Sequence, residues 1–455
     1  MPTYLTDRSS YATPALAVLG AVQVALIASI TLLVVPLPAI QAEMGLDRAD
    51  LALLTSAYGL SFSGLLLLGG RLADLYGHRR LFTAGMALFA TASALSAAAP
   101  GFAALLLGRF AQGAGAALAA PAALALARTL APDPARQPRL LAVWGTLSVT
   151  GATAGSLLSG VVAALASWRW TFALPVTVAV LALATARRLP APEPGRAARL
   201  DVAGAVLATA GMVALSYGLL HASAVPTVTG GLLLAAFVAV ETRAAAPLLP
   251  LSFLASPARA AALLAVLVTA AASAAHTFFL TLWFQQVRGM SPLLTSAAFA
   301  PYLLVLAMGP VAGRLAGRFG ARAVTVAGLL LGAAAMALFS LIEADTPYAG
   351  VVLAGLLLFP VASGLAFSGA TVTALDGVPP RRAGLGGGLL NTAMEAGPTV
   401  GLAVLTAVAA AVTGPRHDPA AVTAGYATAL AVAALVFTLT AALVGVARSP
   451  GKRQP

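Results

Sequence analysis

The sequence predicts an all-α membrane protein with fourteen transmembrane helices, and three observations predict it. Of its 455 residues, 60% are hydrophobic, and the mean hydropathy is +0.95. A soluble chain of this length could not cover so much apolar surface. Apolar runs of about 18 to 25 residues recur along the whole length, as a hydrocarbon layer roughly 30 Å thick requires of a helix. Only 9% of the residues are charged, and nearly all of them fall between the runs.

The runs are centred near residues 25, 60, 90, 115, 152, 179, 211, 234, 270, 304, 333, 360, 398 and 434. Each connection carries a breaker, a charge or both. Spans 2 and 3 are parted by "GGRLADLYGHRR" (69–80), spans 3 and 4 by "AAPG" (98–101), and spans 4 and 5 by "APDPARQPR" (131–139). A Pro- and Arg-rich stretch at 187–201 follows span 6, and "ETRAAAPLLP" (241–250) follows span 8. "RGMSP" (288–292), "GRLAGRFGAR" (313–322), "EADTP" (343–347), "DGVPPRR" (376–382) and "GPRHDP" (414–419) part the later spans. The first apolar run follows only Arg8 and is too long for a signal-peptide core.

Loop charge gives the orientation. With both termini cytoplasmic, inside segments hold 21 Arg and Lys and outside segments 4, with Arg109 left within a span. That bias is the positive-inside pattern. The formal charge of +12 therefore reads as cytoplasmic loops, and no nucleic-acid partner is expected. The absence of cysteine removes disulfides and thiolate metal sites. A phosphate-binding loop needs a Gly-Lys-Ser or Gly-Lys-Thr ending, and the only lysine is Lys452. The chain is read as no enzyme, with no metal and no cofactor.

An internal repeat organises the spans. "GRLADLYGHR" (70–79) returns as "GRLAGRFGAR" (313–322), identical at six of ten positions. Each copy lies between the second and third span of a six-span block. The reading is an N-terminal six-helix bundle over 1–190, a linker with two extra spans over 191–245, and a C-terminal six-helix bundle over 246–455. Two similar halves are the repeat logic of secondary transporters.

The motifs resemble the major facilitator superfamily, and within it the fourteen-span drug:proton antiporters. The resemblance covers nearly the whole chain. "GRLADLYGHRR" looks like the superfamily's signature loop between spans 2 and 3. "LLLGRFAQGAGAALAAPAAL" (105–124) looks like its span-4 motif, with Arg109, Gln112, Gly113 and Gly115 in place. "SWRWTF" (167–172) resembles the end of the span 5–6 hairpin. "FFLTLWFQQVRGMSPL" (278–293) is similar to the segment after span 9 of the fourteen-span family.

This resemblance implies export of a small lipophilic substrate by proton-driven alternating access in a bacterial plasma membrane, by a monomer. It implies a gating loop of Gly70, Arg71, Asp74, Gly77, Arg79 and Arg80, with Asp74 paired to arginine. The alternatives are a dedicated exporter of one natural product, and an uncoupled binding or sensor protein on the same scaffold.

Departures from the family are as informative. Span 1, "ASITLLVVPLP" (28–38), keeps Thr31 and Pro38 but has Ser29 where the family usually carries Asp. In span 5, Gly151, Gly155 and Ser159 recur every four residues and form a small face for close helix packing. The family's Gly-Pro is missing there. Of fourteen Asp and Glu residues, Glu395 alone falls near the middle of a span. Burial in hydrocarbon disfavours its charged form, and an acid at that depth is functional by default. Glu395 and Arg109 are the candidate proton-coupling residues, although Arg keeps its own proton. Glu395 hydrogen-bonded to Asn391 is the structural alternative, and His276 in span 9 is read first as a satisfied helix residue. Gln23, Ser29, Thr31, Gln112, Trp144, Phe278 and Asn391 are expected to line the substrate cavity, with Gly388 and Gly397 letting span 13 flex or pack closely.

Overall fold

The computed structural model describes residues 7–131, 137–190, 202–244, 255–376, 383–416 and 418–447. Among them thirteen helices are long and apolar enough to cross a bilayer. Gln137–Leu165 has a shorter apolar part, Thr150–Leu165, and stands as span 5 in a count of fourteen. In chain order the spans are Asp7–Thr31, Arg48–Tyr76, His78–Ala97, Phe102–Leu130, Gln137–Leu165, Trp168–Arg188 and Val202–Leu220. Then come Ala224–Glu241, Pro257–Val287, Pro292–Phe319, Ala321–Phe339, Tyr348–Leu375, Ala383–Thr413 and Pro419–Val446. No strand occurs among the described residues. In hydrocarbon, a helix meets every backbone hydrogen bond within its own segment.

The ends and breaks follow from local chemistry. Asp47 caps span 2 in a reciprocal box with Asp50, and Ser291 and Asp418 cap spans 10 and 14 with Pro292 and Pro419 in the first turn. Gly77 (φ +94°) and Gly320 (φ +85°) turn the chain between spans 2 and 3 and between spans 10 and 11, a conformation that disfavours side chains. Span 1 ends in turns over 32–36, and a short helix, Leu37–Met44, follows with Pro36 as its cap and Pro38 in its first turn. Span 9 finishes in a π-helical turn, Trp283–Val287. Span 10 is interrupted by a 3-10 segment, Ala300–Leu304, which holds Pro301.

Each half repeats one packing scheme. Span 3 packs on span 4 and span 6, and span 1 on span 5. In the second half, span 11 packs on spans 12 and 14, and span 9 on span 13. Spans 7 and 8 pair with each other, and span 7 lies against spans 2 and 13. The halves meet unequally at their two ends. At the face away from the span 2–3 loop, one apolar core runs from Leu33, Leu37, Leu51 and Trp168 of the first half into Phe279, Trp283, Phe339 and Tyr426 of the second. At the arginine-rich face bearing that loop, separate clusters form around Phe82 and Leu126 in one half and Ala312, Val324 and Leu365 in the other. Among the described residues, the first-half cluster at the arginine-rich face takes in no second-half residue, whereas the core at the other face is shared by both halves.

Candidate functional site

Span 4 carries a buried polar chain across the first half. Arg109 is fully buried, and its Nη1 donates to Gln112 Oε1 at 2.6 Å. Gln112 Nε2 donates to Ser93 Oγ at 2.8 Å, and Ser93 donates to Phe89 O at 2.6 Å. The guanidinium carbon lies 4.8 Å from the centre of the Tyr58 ring, within cation–π reach. Tyr58 in turn donates to Leu26 O at 2.8 Å. The i, i+3 spacing sets Arg109 and Gln112 on one helix face, and three further elements converge there. Among the described residues, Nε and Nη2 of Arg109 have no hydrogen-bond partner. A buried guanidinium with three N–H groups unpaired in apolar surroundings carries a cost that a nearby polar or anionic group would relieve.

Span 1 meets span 5 through the small-residue face. A side chain at Gly151 would fall 2.6 Å from Val24 O, and one at Gly155 2.6 Å from Ala28 O. That closeness lets Thr31 donate across the seam to Ala152 O at 2.9 Å. Ser159 turns elsewhere: it is buried and donates to Ser156 O at 2.7 Å. Two turns of span 5 therefore serve span 1, and the next serves span 10.

Several residues expected to line a cavity are enclosed instead. Gln23 is 7% exposed, Ser29 1%, Gln112 0% and Phe278 1%. Ser29 bonds back to Ala25 O at 2.7 Å, so its hydroxyl is already satisfied within its own helix. Phe278 is packed edge-to-face on Phe279 inside the joint core, because an apolar ring gains most where the core is densest. Thr31 and Trp144 are half-buried, the latter against the first-half cluster. Asn391 and Glu395 sit on the helix of span 13, and their side chains lie outside the described residues.

The span 2–3 loop corrects one expectation. Asp74 Oδ1 faces His78 Nε2 at 3.2 Å, so its partner is the loop histidine rather than an arginine. The turn at Gly77 brings position 78 back over position 74. Asp74 also stands in the last turn of span 2, an end that favours cations over carboxylates. Arg79 Nη1 donates to Leu189 O at 3.4 Å, tying the loop to the end of span 6. Gly70 packs loosely on Pro121, with 3.7 Å between a built side chain and its Cβ. Arg71 is half-buried and Arg80 exposed.

The opposite face holds contacts that the motif reading did not single out. Gln285 donates to Val35 O at 2.9 Å and Gln286 to Gln41 Oε1 at 2.6 Å. Ser296 donates to Ser156 O at 3.1 Å. These three bonds join span 9 and span 10 to the first half, and the family-like segment at 278–293 supplies all three donors but Ser296. Glu43 accepts from Trp168 at 2.7 Å and Arg169 at 2.6 Å. Those bonds, Trp168 first, hold its carboxyl below the ordinary 4.5. A depressed carboxylate contributes above its ordinary value, and the contribution is lost as pH falls through the folded value. Asp47, Asp50 and His221 bring ligand atoms within 4.8 Å of one another. The two acids are engaged in the span 2 cap, and His221 links the span 7–8 turn to Asp50 at 3.3 Å.

His276 is fully buried in the second half. Nδ1 faces Ala272 O at 2.6 Å, so it carries the proton, and Nε2 takes the Tyr302 hydroxyl. Phe359 lies 4.4 Å away and Phe339 5.4 Å, centre to centre. This is a neutral, satisfied ring. Glu241, the last residue of span 8, is 3% exposed, and only tertiary packing reveals that.

With this geometry in place, comparison with known proteins is specific. The family model described as Major Facilitator Superfamily matches residues 17–402. The puromycin resistance protein pur8 of Streptomyces alboniger is 37% identical over 95% of this chain and 90% of its own length. The cephamycin export protein CmcT of Amycolatopsis lactamdurans is 35% identical over 98% and 95%. Among solved structures, a bacterial homologue of the human lysosomal transporter Spinster, inward-facing and unoccupied, aligns with a TM-score of 0.69 at 16% identity, covering 97% of this chain and 99% of that one.

Proposed function

The chain belongs to the major facilitator superfamily, and from that premise we propose that it exports lipophilic drugs or antibiotics by proton-coupled alternating access. The observation that carries the reading is the unequal meeting of the halves. Both faces are built from the same repeated scheme, yet the described hydrogen bonds between spans 9–10 and the first half gather at one face, and the first-half apolar cluster at the other face includes no second-half residue. A molecule with two equivalent ends joined unequally has the form that alternation between two states requires. The excess of arginine at that other face supports placing it, with both termini, in the cytoplasm of a bacterial cell.

Arg109 supports coupling through its fixed charge. It biases the protonation of carboxyl groups and the binding of polar substrate groups near the seam, and Glu395 of span 13 is the acid assigned to carry the proton. Exchange at one carboxyl, proton against substrate, would give antiport without a second site. The transport unit is taken to be a monomer.

A narrower substrate range has its own support, because the relatives are named for puromycin and for cephamycin, one compound each. A panel of antibiotics tested for rescue in a sensitive bacterial host separates one substrate from many. The proposal as a whole is tested in inverted vesicles under an imposed pH gradient, following a fluorescent lipophilic cation in wild type and Glu395→Gln. Gradient-dependent uptake that the variant loses is the expected result. Uptake unchanged by the variant would remove Glu395 from coupling.

A further inference from the structure

An open groove lies between spans 11 and 14 at the arginine-rich face. It has a volume of about 500 Å³ and is lined by Phe319, Arg322, Ala323, Ala327, Leu330 and Gly445 together with Val326. Its walls are apolar and its floor is made shallow by small residues: a side chain built at Gly445 would meet nothing within 4 Å. Phe319 and Leu330, 59% and 50% exposed, stand at its two ends. On a membrane helix, such exposed apolar side chains face lipid.

The dimensions and charge indicate the occupant. Arg322 and Leu330 are eight residues apart on a continuous helix, roughly 12 Å along its axis. One leaflet contributes about 15 Å of the hydrocarbon core, so the groove runs nearly the depth of a single leaflet. Arg322 sits at its headgroup end. Its Nε is engaged, donating to Val444 O at 2.9 Å, which fixes the guanidinium beside the groove and leaves its other donors for an anion. Arg314 and Arg318 are exposed on the preceding turns, and Arg448, Lys452 and Arg453 follow span 14 in the sequence. No Asp or Glu occurs in residues 305–342 or 419–455. Basic side chains clustered at a membrane surface attract anionic headgroups.

We propose that this groove binds an anionic phospholipid, its phosphate on Arg322 and one acyl chain along Val326, Ala327, Leu330 and Gly445. The site lies on the lipid-facing flank of the second half, away from the substrate seam.

The test is native mass spectrometry of the full-length chain purified in mild detergent and offered equal phosphatidylglycerol and phosphatidylcholine. Wild type is expected to retain one phosphatidylglycerol in preference. Arg322→Gln should reduce that preference about fivefold, the influence of one basic residue near a charged membrane surface, and Arg322→Lys should restore most of it. Gly445→Leu fills the groove without touching the Arg322 bond and should lower retention of both lipids. It decides the matter if Arg322→Gln fails to fold. Equal binding of the two lipids by wild type, or unchanged phosphatidylglycerol retention in Gly445→Leu, would overturn the proposal.

Discussion

The two copies of the ten-residue repeat occupy corresponding corners of the two halves, and they share some devices and not others. In both, a glycine at positive φ closes the loop. In both, the last arginine reaches the closing span of its own half, Arg79 to Leu189 O and Arg322 to Val444 O. The packing beneath them differs. Just ahead of the first copy, a side chain at Gly69 would lie 2.1 Å from Ala117 O, whereas the corresponding Ala312 is a fully buried alanine; within the copies, Gly70 meets only Pro121 at 3.7 Å and Gly313 and Gly317 meet nothing within 4 Å. The first copy has Asp74 and His78 as a pair; the second has Gly317 and Ala321 at those positions. What is shared holds each hairpin to its own half. The acid, and the need for a bare glycine against span 4 at position 69, belong to the first half alone.

The largest effect follows from the glycines. Gly69→Leu forces a side chain into the backbone of span 4 and should destabilise the protein by about 3 kcal/mol, at the upper end for overpacking. Gly313→Leu should change stability by no more than about 0.5 kcal/mol. Thermal unfolding followed by size-exclusion chromatography measures both, and equal melting temperatures for the two variants would break the contrast.

A smaller effect separates the buried polar groups of the halves. Arg109→Met strands Gln112 Oε1 and should cost about 1.5–3 kcal/mol, as for a hydrogen bond to a charged group, while abolishing dye transport. His276→Gln should cost about 1 kcal/mol and leave transport near wild type, because the ring is neutral and enclosed. Transport that survives loss of Arg109 and fails on loss of His276 would move coupling to the second half.

The smallest effect on stability concerns the pair that distinguishes the copies. Asp74→Asn should alter stability by less than about 1 kcal/mol, since the pair is exposed, yet slow transport by removing the loop's only acid. Gly317→Asp, which restores symmetry, should leave stability equally unmoved. The sharper readout is the rate of dye efflux in each variant. An Asp74→Asn protein transporting at the wild-type rate would reduce the loop to a positive-inside connection.

The sequence alone settled the spans. Residues 25, 152, 211 and 434, taken as centres from hydropathy, fall within helices of the structure, because hydrocarbon leaves the backbone no alternative to an unbroken helix. The repeat was legible for the same reason: it is a pattern along the chain. The side of a helix that a residue presents is not such a pattern. Ser29 and Phe278 had the depth for a cavity, but a back-bonded hydroxyl and a crowded core enclosed them. Asp74 lay among arginines in the sequence, and the turn at Gly77 gave it to His78. Gln285 and Gln286 were recognisable as a motif, whereas their partners Val35 and Gln41 stand about 245 residues away. Depth in the membrane is a one-dimensional property fixed by hydropathy. Partners are set by how helices rotate and press together, and only the tertiary structure decides that.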